Sequence, residues 1–368
     1  MNLKNLSITV LVLAALSAVA YVLNRPAPPA ETDPRVGEAL LADATANAAT
    51  AIAITDAGNT VELARADDDS WTVTSYHDLP ADMDKLRRFV GELIGADIER
   101  VVTRNADRMA RLDFGNTRLS ITTPDTTWTV DLGRTAERGG RYLRFAHDED
   151  SPAYLSPLSV YLDATARNWA NSKLIGFAAD DIASVELSFA EGAPVTVSRE
   201  SANATWTTDD PPEGKRLLTT RMTSLLTSLT GLRFTDTTTP DDQDVVDASA
   251  HQRTAVLTNF EGESITIALG RRPEETTLKE PEADPAAILE TYPDEDAGPA
   301  ELLEDATETI PAGPVFAVVS GAASGALLAT ANESLAFKVS DYSFTSLPSR
   351  DDLFEDIPAP ASETVAEE

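Results

Sequence analysis

Two Leu-Gly-Arg triplets, Leu132-Gly133-Arg134 and Leu269-Gly270-Arg271, constrain this chain most, because the same series of segments precedes each of them. Ahead of the first, Ile52 and Ile54 alternate as a short strand. Val61 and Leu63 follow an Asp-Ala-Gly-Asn turn, and Trp71 and Val73 extend a third segment. Alternation of this kind marks strands with one buried face. Ahead of the second triplet, Val185 and Leu187, then Val195 and Val197, then Trp206 keep that order. Each hairpin ends on a tryptophan. Next come residues at helical spacing, Met83, Leu86, Phe89, Val90 and Leu93 in one case and Leu218, Met222, Leu225 and Leu229 in the other, each set forming one apolar stripe. Leu119 and Ile121, then Trp128, Val130 and Leu132 lead into the first triplet; Val256, Ile265, Ile267 and Leu269 lead into the second. A further strand pair follows each, RYLRF with AYL and PVFAVV with ALLAT. The two series are offset by about 135 residues and read as one unit present twice. The unit is β-β-β-α-β-β-β-β, an antiparallel sheet with a helix on one face.

The N-terminus sets the compartment. Leu6 to Leu23 is an uncharged apolar run between Lys4 and Arg25, and its length of about 18 residues is just enough helix to cross a bilayer. Ala18-Val19-Ala20 also offers a signal-peptide cleavage site after Ala20. Apolar character continues through Tyr21, Val22 and Leu23, which favours an uncleaved anchor. Lys4 and the amino terminus nearly balance Arg25 and Arg35, so charge hardly sets orientation. Both readings export the rest of the chain, and Pro26 to Pro34 reads as a stiff spacer. The expected organisation is an anchor or signal peptide at 1–25, a linker at 26–46, and α+β units at 47–175 and 176–350. The second unit carries an acidic disordered insert at 273–313, and an acidic disordered tail fills 351–368.

Composition narrows the function by exclusion. A formal net charge of -32 over 368 residues repels nucleic acid and anionic headgroups. With no cysteine there is no disulfide, thiolate metal site or cysteine nucleophile. The insert, rich in Glu, Asp and Pro, lacks the apolar surface to offset its ordering entropy.

Catalytic constellations are absent from the sequence. His77, His147 and His251 are not in metal-ligand spacing and read as solvated loop residues. GAASG, Gly321 to Gly325, places its serine one position late for a nucleophile elbow and reads as a hairpin turn between Val319 and Ala326. DEDAG at Asp294 to Gly298 has its glycine at the wrong place for a calcium loop. Asp67, Asp68 and Asp69 read as a solvated turn. Neither glycine-rich phosphate loop occurs. Trp71, Trp128, Trp169 and Trp206 are expected in packing between helix and sheet. No catalytic, cofactor-binding or metal-ligating residue is assigned, no cofactor is expected, and the chain reads as not an enzyme.

Taken together, the anchor, the hairpin closing on Trp71, the helix at 82–94, Leu132-Gly133-Arg134 with GGRYLRF, and NWANSKLIGFAADDIASVEL from Asn168 to Leu187 resemble bacterial proteins carrying the domain of unknown function 4340. The resemblance implies a fold built of such units outside the cytoplasm, and a role similar to that of accessory proteins beside membrane ABC export systems of the gliding-motility type. It rests on association and not on site chemistry. The expected function is a membrane-tethered accessory or scaffold protein of the inner membrane. It would be single-pass, with its soluble part in the periplasm or extracytoplasmic space, protein partners in an ABC-type complex and no nucleic acid. The alternative is a periplasmic binding module for envelope glycan or another ligand, which requires an exposed Trp128 or Trp169 in a groove.

Overall fold

The structure, a computed structural model, describes residues 33–148, 150–189, 192–278 and 307–357. The anchor at 1–25, the start of the linker, most of the acidic insert and the tail beyond 357 lie outside the described residues. Among the described residues no helix is long and apolar enough to cross a membrane. The fold is mixed α+β with antiparallel sheets and few helices, in two compact units that divide between Asn171 and Ser172, a few residues before the expected boundary.

The first unit contains β1 (Ala51–Asp56), β2 (Asn59–Arg65), β3 (Trp71–Val73), β4 (Leu79–Pro80), β5 (Arg100–Thr103), β6 (Thr117–Thr122), β7 (Thr127–Thr135), β8 (Arg141–Phe145) and β9 (Ala153–Ser156). They form one sheet in the order β4-β3-β2-β1-β6-β7-β8-β9-β5. The period-2 pattern sets its register: Ile52 faces Leu63 and Ile121, Leu119 faces Val130, and Leu132 faces Leu143. All these side chains are buried, each worth about 1.5–3 kcal/mol of transfer free energy. Helix α1 is Asp43–Asn47 and α2 is Met83–Ile94. Asp82 caps α2 by accepting from the backbone N–H groups of Asp84 and Lys85 at 3.0 Å each, and the helix buries Leu86, Phe89 and Leu93. The short helix α3 (Ala106–Met109) runs on into a 3-10 turn ending at Leu112.

Residues 33–46, expected in the linker, belong to this unit. Leu40 and Leu41 are buried, and the backbone N–H groups of Gly37 and Leu40 donate to Ile98 and Ala96. Two adjacent leucines in a polar stretch find a core there, which composition alone does not reveal.

The second unit contains β10 (Ile182–Ser188), β11 (Val195–Ser198), β12 (Lys215–Leu217), β13 (Phe234–Thr238), β14 (Gln252–Asn259), β15 (Ser264–Arg271), β16 (Glu275–Leu278), β17 (Thr307–Ile310), β18 (Val315–Gly321), β19 (Ala336–Val339) and β20 (Phe354–Asp356). Its main sheet runs β11-β10-β14-β15-β18-β19-β13. Helix α4 (Thr219–Thr230) buries Met222, Leu225, Leu226 and Leu229, and Leu218 stands at its N-cap and not inside it. Helix α5 (Gln243–Ser249) sets Ala248 against Phe316 and Ala336.

Three expectations for this unit change. The last strand of the sheet is β19, whereas Ala326–Thr330 forms a turn running into a 3-10 helix at Ala329–Glu333. Phe337 and Val339 pair with Ala317 and Val315, a bulkier match to β18 than alanines provide. The two ends of the insert pair as β16 with β17. Residues 351–356 are folded as well, with Leu353 and Phe354 buried and β20 paired to β12.

In both sheets the glycine of the Leu-Gly-Arg triplet sits under the end of a short helix. A Cβ on Gly133 would collide with the Leu112 carbonyl, and one on Gly270 with the Ala248 carbonyl, both well inside the 3.0 Å that real Cβ contacts do not cross. The triplet is therefore the place where a helix end lies directly on a strand.

Candidate functional site

The residues that sequence singles out for chemistry are dispersed. His77, His147 and His251 are exposed, in the turn after β3, after β8 and before β14. His77 stacks edgewise on Tyr76 and His147 on Phe145. Asp67, Asp68 and Asp69 form the exposed β2–β3 turn. Within it the Ser70 hydroxyl donates to Asp68 at 2.6 Å, which holds that carboxyl below the usual range, and Arg65 pairs with Asp69 at 2.7 Å. Residues 321–325 leave β18 as a turn in which Ser324 Oγ donates to Glu263 at 2.8 Å. No group of three His, Asp or Glu side chains suited to a metal occurs among the described residues. Trp169 and Trp206 are buried, whereas Trp71 and Trp128 are half-buried.

Two clefts remain. The first unit holds one of about 380 Å³ lined by α2 and the segment 159–169. Lys85 organises it from the first turn of α2. Its ammonium donates to Asp163 Oδ2 at 2.8 Å and to the Asn168 carbonyl at 3.0 Å, and lies 4.5 Å from the centre of the Trp169 ring. The Trp169 indole N–H donates to the Asp163 carbonyl at 2.6 Å, and Phe89 meets the ring edgewise. Burial pushes the Asp163 carboxyl up. Lys85, the Thr165 N–H and the Asn168 amide more than offset this and leave it below the usual carboxylate range. These bonds fasten the segment 159–169 to the helix. Tyr161, 82% exposed, stands at this cleft.

The second unit holds a groove of about 550 Å³ bounded by Thr205–Thr208, β12 and the start of α4. Thr207 exchanges both backbone hydrogen bonds with Ser198 at 2.9 Å, which places Thr205–Thr208 as a short extra segment along β11. Strand β12 pairs with β20: Leu218 N donates to Leu353 O at 2.8 Å and Ile357 N to Gly214 O at 2.9 Å, with Arg216 and Glu355 in ion pair at 2.7 Å. Leu217 and Leu218 are half-buried in this groove. Helix α4 begins there without a side-chain cap, unlike α2.

Sequence reasoning placed Trp169 and Trp206 in packing, and both are there. It missed the Lys85–Asp163 pair, whose members are 78 positions apart, and it missed β12, whose partner lies at the end of the described chain. Neither leaves a local signal.

The family model for a domain of unknown function, DUF4340, matches residues 71–251. The match opens at Trp71 and closes just before β14, so it takes in parts of both units. No curated protein and no solved structure matches the chain.

Proposed function

Starting from the DUF4340 match, we propose that this chain is a non-enzymatic accessory or scaffold protein. It is tethered to the inner membrane by its N-terminal segment, carries its two units on the extracytoplasmic side, and works with an ABC-type transport complex. The observation that carries the reading is the order of the chain: one uncharged apolar run, Leu6 to Leu23, followed by two units of sheet and helix. The units are taken as copies of one ancestral unit. Seven neighbouring strands follow the same order in each sheet, β2-β1-β6-β7-β8-β9-β5 and β11-β10-β14-β15-β18-β19-β13, and the ladders set Trp71 level with Trp206 and Leu132 level with Leu269. Affinity purification of the full chain from detergent-solubilised membranes tests the function. It should recover an ABC-type permease or its companion subunit, and repeated recovery of the chain alone overturns the reading.

A second reading, a binding module for envelope glycan, has one feature in its favour, the exposed Tyr161 ring at the Lys85 cleft; Trp169 is buried and offers no platform. Under that reading Tyr161→Ala releases the protein from purified peptidoglycan sacculi, and unchanged retention rejects it.

A further inference from the structure

The groove beside Trp206 has the form of a missing strand. In the first unit, the segment that starts at the tryptophan and the segment before the helix are direct partners. Thr72 faces Pro80, Val73 faces Leu79, and Ala81 N donates to Trp71 O at 2.8 Å. In the second unit the corresponding segments, Thr205–Thr208 and β12, both line the groove, and no backbone bond joins them among the described residues. Strand β12 is paired to β20 instead, and Leu217, the residue before the helix cap as Ala81 is in the first unit, makes no backbone bond to Trp206.

This diversion leaves two backbone edges facing the groove. In an antiparallel pair, alternate residues turn their N–H and C=O toward the partner and the others turn away. Thr207 is bonded inward to Ser198, so Trp206 and Thr208 point their backbone groups outward, where they have no backbone partner among the described residues. Gly214 and Leu218 bond toward β20, so by the same alternation Leu217 points away from it. An unpaired edge of this kind is a template for another strand. The ligand that matches main-chain donors and acceptors spaced along an extended backbone is a second extended backbone.

We propose that this groove receives an extended segment of a partner polypeptide, which pairs antiparallel or parallel with Thr205–Thr208 in the place β4 takes against β3 in the first unit. The four residues of that edge span about 13 Å, enough for a segment of three or four residues to pair. Side chains on one face of the segment rest on Leu217 and Leu218, so the fitting sequence is apolar at every second position. The inference rests on the accessory-protein reading and names the surface by which the chain holds its partner.

The test uses the full chain in its native membranes, with a photo-reactive benzoylphenylalanine placed singly at Thr205 and at Thr220, both exposed at the groove. Both positions should cross-link to the same short stretch of one partner polypeptide. Thr208→Pro removes an outward N–H that carries no bond among the described residues, and should lower the cross-link yield about tenfold or more. Because the chain has no cysteine, Thr220→Cys labelled after folding with a bulky maleimide gives a second block that does not depend on the proline folding correctly. If the chain still recovers a permease while the two positions cross-link to no common segment, or if both blocks leave the yield unchanged, the groove is not the docking site and the accessory reading survives. If the unmodified chain is recovered alone, the accessory reading and the groove proposal fall together.

Discussion

Replacing Gly133 by alanine tests whether the Leu-Gly-Arg triplet is a packing device. The added methyl would meet the Leu112 carbonyl at the end of the short helix, with the Phe114 ring 3.1 Å away on another side. Two of the three nearest atoms are backbone and cannot swing aside as a flexible side-chain end does, so either the helix end or β7 has to move. Forced overpacking costs about 1–3 kcal/mol, and a backbone obstacle puts Gly133→Ala near the top, at about 3 kcal/mol. For a unit of this size that lowers the melting temperature by roughly 6–12 °C. Gly270→Ala should do the same to the second unit through the Ala248 carbonyl. Calorimetry of the full chain reads both, with each substitution expected to shift the transition of its own unit. A loss below about 0.5 kcal/mol at both positions, the range of ordinary surface changes, would refute the reasoning.

Gly91 provides the opposite case: it lies inside α2, where an added methyl would have nothing within 4 Å of it, so Gly91→Ala should stabilise by about 0.5–1 kcal/mol, measured by denaturant titration. Lys85→Met leaves the Asp163 carboxylate, whose side chain is 10% exposed, without its ammonium. The expected loss is about 2–3 kcal/mol at neutral pH, less than for a fully enclosed pair because Lys85 keeps some solvent. The folded state holds the Asp163 carboxyl below its unfolded value, so its contribution is present above the unfolded carboxylate pKa and lost as pH falls through the folded one. The Lys85→Met penalty should therefore shrink on acidification, and a penalty independent of pH between neutral and the acid range would argue against the pair. Asp131→Asn removes the carboxylate that accepts from Arg118 at 2.7 Å and Arg144 at 3.0 Å across three strands. A loss of about 1–3 kcal/mol is expected in equilibrium unfolding, and a neutral result would show that the two half-exposed arginines find water instead.

Much of the architecture was legible because it is written in local periodicity. Ile52 and Ile54, Val61 and Leu63, and Leu119 and Ile121 alternate in sequence and are buried in register; Leu86, Phe89 and Leu93 lie on the buried face of α2. The ALLAT segment misled because a short apolar run fits a strand or a turn of helix equally well, and only the bulk of Phe337 and Val339 against β18 selects between Ala326–Thr330 and β19. Residues 33–46 and 351–356 misled for a related reason: isolated pairs such as Leu40-Leu41 and Leu353-Phe354 carry no period, yet both pairs are buried.

By itself, the sequence determined which residues face inward, where the long helices run and that the tryptophan and Leu-Gly-Arg landmarks keep the same order in both halves. These follow from side-chain direction along a strand or helix, which repeats every 2 or about 3.6 residues whatever the rest of the chain does. Tertiary structure alone decided that the Leu112 and Ala248 carbonyls rest on Gly133 and Gly270, that Lys85 is held by Asp163, and that β12 pairs with β20 and not with Thr205–Thr208. Those are choices of partner between segments far apart in the chain, such as Arg216 and Glu355, 139 positions apart; a backbone donor is the same for every candidate acceptor until packing brings one of them within reach.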